Sequence, residues 1–351
     1  MASLASGPVC PLPRGDHDRV QLGHGSGGKM SARLLREHFL PRFGNAHLDR
    51  LGDGAVVPVE GGEIVLSTDT FVVSPLEFPG GNIGHLAVHG TVNDLAMMGA
   101  TPRYLSAGFV LEEGLPFDVM DRILDAMAAA ATAAGVAVVT GDTKVVDRGK
   151  ADGMFVNTTG VGILHDGFRP GPTGARPGDA VLVSGPLGRH GMAVMAVREG
   201  FSFESEILSD TANLAPLVDG LRTRVGAAVH VLRDATRGGV ASALNEIAGA
   251  AGVGVELDDG VVPVPGPVQA ACEMLGLDPL YVANEGVLVA FVEAGAAPRA
   301  LEVLRGFPEG AGAAVVGRVV AEHEGMVVLR TGLGGTRVVD MLPGDQLPRI
   351  C

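Results

Sequence analysis

The chain has 351 residues, enough for two domains at ~100–200 residues each. Its 26 Lys and Arg against 40 Asp and Glu give a formal net charge of −14, which argues against nucleic-acid or anionic-membrane partners, since phosphates attract clustered cations. With 46% apolar and 19% charged residues the composition excludes global disorder, and three scattered cysteines (Cys10, Cys272 and Cys351) exclude a disulfide framework or a zinc cage.

Residues 1 to about 20 are rich in Pro, Gly and charge and read as a loose arm. Met1-Ala2-Ser3-Leu4 lacks the basic region and long apolar run of a signal peptide. The most apolar stretch, 126–139, is broken by Thr132 and Gly135 and is shorter than the ~20 residues of a membrane span. A soluble, cytoplasmic, two-domain enzyme is expected, with no membrane and no nucleic-acid partner. Residues 55–57, 64–68 and 104–110 read as strands, and 82–98 and 117–134 as helices, the second closed by Gly135. Strand character returns at 136–139 and 155–159. The run Arg169-Pro170-Gly171-Pro172-Thr173-Gly174-Ala175-Arg176-Pro177-Gly178 sustains neither helix nor sheet and marks the domain boundary. A strand at 180–184, helices near 191–198 and 240–251, and strands near 253–257 and 286–291 follow. Without a strict βαβ rhythm, the pattern predicts an α+β fold whose sheets are covered by helices on one face. Residues 342–351, with two prolines and a glycine, predict an extended tail.

Four aspartates share one setting, an apolar run followed by a turn: Asp53, Asp69, Asp94 and Asp142. Acidic groups at strand ends beside glycines suit a hard cation such as Mg²⁺ bridging to nucleotide phosphates. Each alone serves equally as a turn or cap residue, but four in one half, with Lys144 two residues beyond the last, favour the metal-phosphate reading. Asn93-Asp94 is the most informative pair, because it lies in the body of an apolar helix where no cap explains it and a buried polar pair needs a partner. His85 and His89, four apart, present two imidazoles to one helix face but lack the third ligand a zinc site needs.

Gly23-His24-Gly25-Ser26-Gly27-Gly28-Lys29-Met30 nearly matches the phosphate-loop spacing, yet Met30 stands where a hydroxyl should bind metal and no convincing strand precedes it. The residues suit a flap whose amides and Lys29 gather round phosphate, and equally a flexible linker. Thr236-Arg237-Gly238-Gly239, after Asp234, opens a helix and makes a second candidate anion site, whereas 185–191 reads as a plain loop. The final residue is Cys351. On a tail of about 20 residues, with a reach of up to ~65–70 Å, its thiol suits a swinging carrier that accepts a group and presents it elsewhere; an exposed terminal residue without a role is the plain alternative.

Segments 23–29, 67–102, 140–148, 157–160, 235–240 and 283–286, with the closing Pro348-Arg349-Ile350-Cys351, resemble the HypE family of hydrogenase maturation proteins in the PurM-like ATP-binding superfamily. The resemblance spans about residues 23 to 351. It implies a two-domain PurM-like architecture: an arm with a glycine-rich flap (1–45), a β-sheet N-terminal ATP-binding domain (46–165), an α/β C-terminal domain (175–330) and a mobile tail (331–351). It implies a homodimer that takes a carbamoyl group from the carbamoyltransferase HypF onto Cys351. ATP-dependent dehydration of the S-carboxamide to an S-thiocyanate follows, and cyanide passes to iron on the HypC–HypD complex for NiFe-hydrogenase. The implied site has Cys351, Lys144 and Glu285 in catalysis, with Glu285 and Lys144 as base and orienting group. Gly25, Ser26, Gly27, Gly28, Lys29, Asp69, Thr70, Asn93, Asp94, Gly141, Asp142 and Arg237 bind ATP, and Asp53, Asp69, Asp94 and Asp142 bind Mg²⁺. A structural Glu285–Lys144 ion pair is the competing assignment. Thiamine-monophosphate kinase and selenophosphate synthetase share such carboxylates but have no use for a terminal thiol, and Cys10 lies in a poor context for the reactive residue of the latter.

Overall fold

The computed structural model of the chain describes residues 20, 22–25, 28–200, 206–332, 334–342, 344, 347 and 349–351; Cys10, Ser26 and Gly27 lie outside the described residues. A short helical lead, α1 (Lys29–Leu34), one π turn (Leu35–Phe39) and α2 (Leu40–Phe43), precedes the first sheet. That sheet contains β1 (Ala55–Val59) and β2 (Gly62–Phe71), followed after the small hairpin β3 (Glu77–Phe78) and β4 (Gly81–Asn82) by β5 (Ala100–Glu112), β6 (Ala137–Val146) and β7 (Met154–Leu164). Its order is β1-β2-β7-β5-β6, antiparallel except for the β5–β6 pair.

Alternation decides which face the helices cover. Along β7, Met154, Val156 and Thr158 point inward while Phe155, Asn157 and Thr159 do not, as a period of two requires. Two helices cover the inward face, α3 (Ile83–Met97) and α4 (Phe117–Ala133). In α4 the buried set Ile123, Met127, Ala130 and Ala131 forms one stripe at helical spacing. α3 instead is buried almost all round, starting from Asn82, whose side chain accepts from the Gly84 and His85 amides. Each polar group in its body therefore needs a partner inside the protein. Thr91 meets Thr158 at 2.6 Å. Asn93 reaches across to the second half, accepting from the Leu214 amide at 2.7 Å and donating to the Ala212 carbonyl at 2.9 Å.

The second sheet comprises β8 (Ala180–Val183), β9 (Val229–Asp234), β10 (Gly254–Asp258), β11 (Leu288–Val292), β12 (Ala314–Val320), β13 (Val327–Arg330) and β14 (Thr336–Val338). Their order is β14-β13-β10-β12-β8-β11-β9. Helices α5 (Arg189–Glu199), α6 (Ala215–Arg224), α7 (Gly239–Ala251), α8 (Gly266–Leu275) and α9 (Ala297–Arg305) accompany it. Every residue of β8 and β11 is buried. One face packs Val181, Val289 and Phe291 against α7, and the other packs Leu182, Leu288 and Ala290 against α6 and α9. Coverage on one face holds for the first sheet and fails for the second, whose central strands are apolar without alternation, the pattern of strands buried on both sides. The fold is α+β.

The Pro/Gly run between the halves is an ordered connection with a 3₁₀ turn at Pro172–Gly174, fixed by the Gly171 amide donating to the His230 carbonyl. The expected extended tail is docked here. Residues 336–338 pair with β13, Val339 is fully buried, and Leu347 and Ile350 join the core that α3 and α4 share with α5 and α8. Apolar side chains at 347 and 350 give the tail a reason to stay in the cleft. Replacing Asn93 by Ala orphans the buried Leu214 amide and the partly buried Ala212 carbonyl and is expected to lower unfolding stability by about 1–3 kcal/mol. Urea titration checks the loss.

Candidate functional site

The two halves meet at a set of carboxylates. Asp69 sits on the inward row of β2, Asp94 on α3, Asp53 in the loop before β1, and Asp234 at the end of β9. Carboxylate oxygens of Asp53, Asp94 and Asp234 lie within 4.8 Å of one another. Asp94 also accepts from the Ser67 hydroxyl at 2.5 Å and shares a hydrogen bond with Asp69. Arg233 bridges Asp53 and Glu246, each at 2.6 Å.

Burial pushes the Asp53 carboxyl up to about 8, with Arg233 opposing and Asp234, Glu246 and Asp69 adding to the rise. Asp234 is pushed up to about 6 for the same reason, and Asp69 and Asp94 are raised too. Close, desolvated carboxylates hold protons until a positive charge replaces them. Oxygen donors gathered this tightly fit a hard divalent cation, and Asp53, Asp94 and Asp234 are the residues that would hold Mg²⁺.

Beside this cluster lies the chain terminus. The Val72 amide donates to the Cys351 carbonyl at 3.0 Å, just past the end of β2. Burial pushes the Cys351 thiol up to about 12, Arg237 opposing while Glu285, Asp69 and Asp234 add. Glu285 is 3% exposed, and its Oε1 has no hydrogen-bond partner among the described residues. Its carboxyl is held well above the ordinary range by burial and by Asp234, Asp210 and Asp69. Its own amide donates to Asp210 Oδ1 at 2.9 Å. Arg237 is the central cation, in electrostatic contact with Cys351, Asp69 and Glu285. It also donates to the Gly25 carbonyl at 3.3 Å. Two adjoining cavities share Gly25, Arg237 and Ser242; the first also reaches Thr70 and Cys351, the second Asp234 and Glu246. The buried Ser242 hydroxyl has no partner among the described residues, which leaves a polar group for a ligand to satisfy.

Asp53, Asp69, Asp94, Arg237, Glu285 and Cys351 thus converge, with Thr70, Gly25 and Gly28 along the cavity wall. Lys29 is close by, its ammonium on Asp340 at 2.5 Å and its amide donating to the Leu342 carbonyl at 3.0 Å. Ser26 and Gly27 lie outside the described residues. Three expected ATP ligands are not brought to the cluster. Asn93 spends its amide on the 212–214 backbone. Gly141 lies on edge strand β6, where a Cβ would stand 2.4 Å from the Ala107 carbonyl, so strand packing explains the glycine. Asp142, an expected metal ligand as well, sits on β6 in register with Gly108, Asn157 and Thr70, one residue off the row that holds Asp69. The pleat therefore turns it to the opposite face, three strands or about 14 Å from β2. Lys144, on that same face, pairs with Asp142 at 2.6 Å and is exposed; it meets neither Glu285 nor the thiol. His85 and His89 bond Asn82 and Thr211 through Nδ1, and the described residues add no third metal ligand.

Asp234, Arg233, Glu246 and Asp210 carried no role in the sequence reading. Asp234 had the right signal, an acid at a strand end before Thr236-Arg237-Gly238-Gly239. Arg233 and Glu246 become partners only through folding, thirteen residues apart on β9 and α7.

Residues 51–164 match the family model for the AIR synthase related protein, N-terminal domain, and residues 176–330 that for its C-terminal domain. The chain is 51% identical over 332 residues to the carbamoyl dehydratase HypE of Azotobacter vinelandii, covering 95% of this chain and 97% of that protein. Among solved structures it is similar to a chain of a HypE–HypF complex (TM-score 0.84, 45% identity, 88% of this chain and 99% of that one). It is also similar to hydrogenase maturation protein HypE in complex with ATP (TM-score 0.80, 49% identity, 93% and 98%). Thiamine monophosphate kinase from Aquifex aeolicus, at TM-score 0.59 and 20% identity over 81% of this chain and 92% of that one, shares the fold alone.

The raised carboxyls fix a pH dependence. Between the ordinary value of 3.8 and the folded values of about 6 for Asp234 and about 8 for Asp53, the folded chain binds more protons than the unfolded one. Without divalent cations, stability is therefore highest below this window and falls as pH rises through it. Thermal melts are expected to show a midpoint lower at pH 8 than at pH 5, with added Mg²⁺ raising it more at the higher pH and Asp53→Asn flattening the slope.

Proposed function

Because the chain belongs to the HypE family of AIR synthase-related proteins, we infer that it is an ATP-dependent carbamoyl dehydratase of hydrogenase maturation and that the carbamoyl group rides on its own Cys351. The observation that carries this reading is the seating of Cys351 in a cleft with Arg237, Glu285 and the aspartate cluster. A terminal thiol in that place meets the groups a dehydration needs.

An amide oxygen leaves poorly as hydroxide. In the proposed reaction the S-carboxamide oxygen attacks the γ-phosphorus of ATP and ADP departs, leaving the oxygen as part of a phosphate. Loss of both nitrogen protons and of phosphate then forms the carbon–nitrogen triple bond of the S-thiocyanate. The net change is S-carboxamide plus ATP to S-thiocyanate, ADP, phosphate and a proton. Mg²⁺ on Asp53, Asp94 and Asp234, with Asp69 bonded to Asp94, would offset charge on the transferring group. Arg237 adds a fixed positive charge beside the thiol.

Glu285 is the proposed base. Its Oε1, without a partner among the described residues, is an acceptor suited to a carboxamide N–H, and its raised proton affinity favours taking that proton once the carboxyl is ionised. Lys144 enters this reading only from outside the single chain's cleft, since its own partner here is Asp142. The exposed edge strand β6, with Val138, Val139 and Val145 uncovered, supports the homodimer as the arrangement that would bury it. Likeness to the ATP-bound HypE supports ATP as the nucleotide, and likeness to the HypE–HypF complex supports HypF as carbamoyl donor. Transfer of cyanide to HypC–HypD completes the proposed sequence.

Mass spectrometry of the Cys351 peptide after carbamoylation by HypF tests the chemistry. ATP is expected to cause loss of one water from the adduct, and a carbamoyl adduct that persists under ATP would overturn the reading. Cys351→Ala is expected to abolish adduct and product together. Glu285→Gln is expected to carry the adduct but dehydrate it at least about 100-fold more slowly, the scale of a lost general base.

A further inference from the structure

His190 is fully buried in the first turn of α5, in a stretch the sequence reads as a plain loop, and neither metal nor thiol chemistry uses it. Its Nε2 lies 2.8 Å from the Ile350 carbonyl and its Nδ1 2.8 Å from the Ser209 hydroxyl. A carbonyl only accepts, so Nε2 carries the proton and Nδ1 accepts from Ser209. Burial holds the imidazolium form down to about 4, so the ring is neutral, consistent with that assignment. Phe78 packs edge-on against the ring at 5.3 Å and fixes its plane.

We propose that His190 is the latch of the terminal arm, a positioning residue that holds the Ile350 carbonyl and so governs how long the Cys351 thiol stays in the cleft. The inference rests on the carrier role given to Cys351. Two further observations support it. Arg349 has φ +54, a left-handed conformation that a non-glycine residue keeps only where its surroundings impose it. Those surroundings are present: the Ser74 amide and Arg198 donate to the Arg349 carbonyl, and the Arg349 side chain donates to the Val72 carbonyl, pairs with Asp152 and lies over the Phe155 ring. The latch is also contiguous with the proposed base. Ser209, which orients His190, adjoins Asp210, which accepts from the Glu285 amide. Arrival of the tail and alignment of Glu285 thus share one short loop.

The test exploits thiol chemistry. Docked Cys351 is half-buried in the cleft and its thiol is held protonated, so iodoacetamide reacts faster with the undocked tail and the alkylation rate rises with the undocked fraction. At fixed neutral pH, with buried Cys272 as internal reference, His190→Ala is expected to alkylate at Cys351 about ten-fold faster than the parent chain. His190→Gln, which keeps a donor, is expected to return the rate to within about two-fold. Single-turnover dehydration of pre-carbamoylated protein is expected to slow in His190→Ala and recover in His190→Gln. An unchanged Cys351 rate in folded His190→Ala overturns the latch. Should that variant not fold, Ser209→Ala decides, with faster alkylation supporting the latch and an unchanged rate overturning it. Failure of dehydration in every chain, with the alkylation order as expected, would overturn the dehydratase reading and leave the latch standing.

Discussion

The structure depends on how it accommodates like charge. Asp53, Asp69, Asp94, Asp234 and Glu285 gather where the two halves meet, and Arg233 and Arg237 are the cations held among them. Desolvation and mutual repulsion both act against the ionised cluster, so protons, arginines or a bound cation must supply the missing positive charge. The polar interior of α3 follows from this requirement, since the helix must carry Asp94 inward and still satisfy Thr91 and Asn93. So does the meeting of the two halves, because Asp234 and both arginines belong to the second while Asp53, Asp69 and Asp94 belong to the first.

The tail is held by a different kind of contact. Apart from Leu347 and Ile350, which bury apolar surface, its grip is mostly on main-chain carbonyls: Val72 to Cys351, His190 to Ile350, Arg198 and Ser74 to Arg349. Such contacts fix position without touching the thiol and leave its chemistry to the terminal side chain alone. Arg237 is the cation facing that sulfur, where it lowers a proton affinity that burial otherwise raises.

Much of this was legible in the chain. The helices at 82–98 and 117–134 and the strand at 104–110 follow from periodicity and turn chemistry; Asp53, Asp69 and Asp94 do converge, but from a loop, the body of a strand and the body of a helix rather than from strand ends. The difficulty at Asp142 was one of parity. Successive side chains of a strand point to opposite faces, and no local pattern says that 142 lies one residue off the row that carries Asp69. Asn93 was read correctly as a residue in need of a partner, but the partner is backbone more than a hundred residues away, which spacing along the chain does not encode. Asp234 matched the pattern of the others and differed only in lying beyond the domain boundary.

The glycine-rich segment and the tail close upon each other. A Cβ on Gly28 would stand 2.4 Å from the Leu342 carbonyl, to which the Lys29 amide donates, and Arg237 donates to the carbonyl of Gly25. Neither segment can lift away without releasing the other. Release of the glycine-rich segment and withdrawal of the tail are therefore coupled, because the Lys29–Leu342 contact serves both.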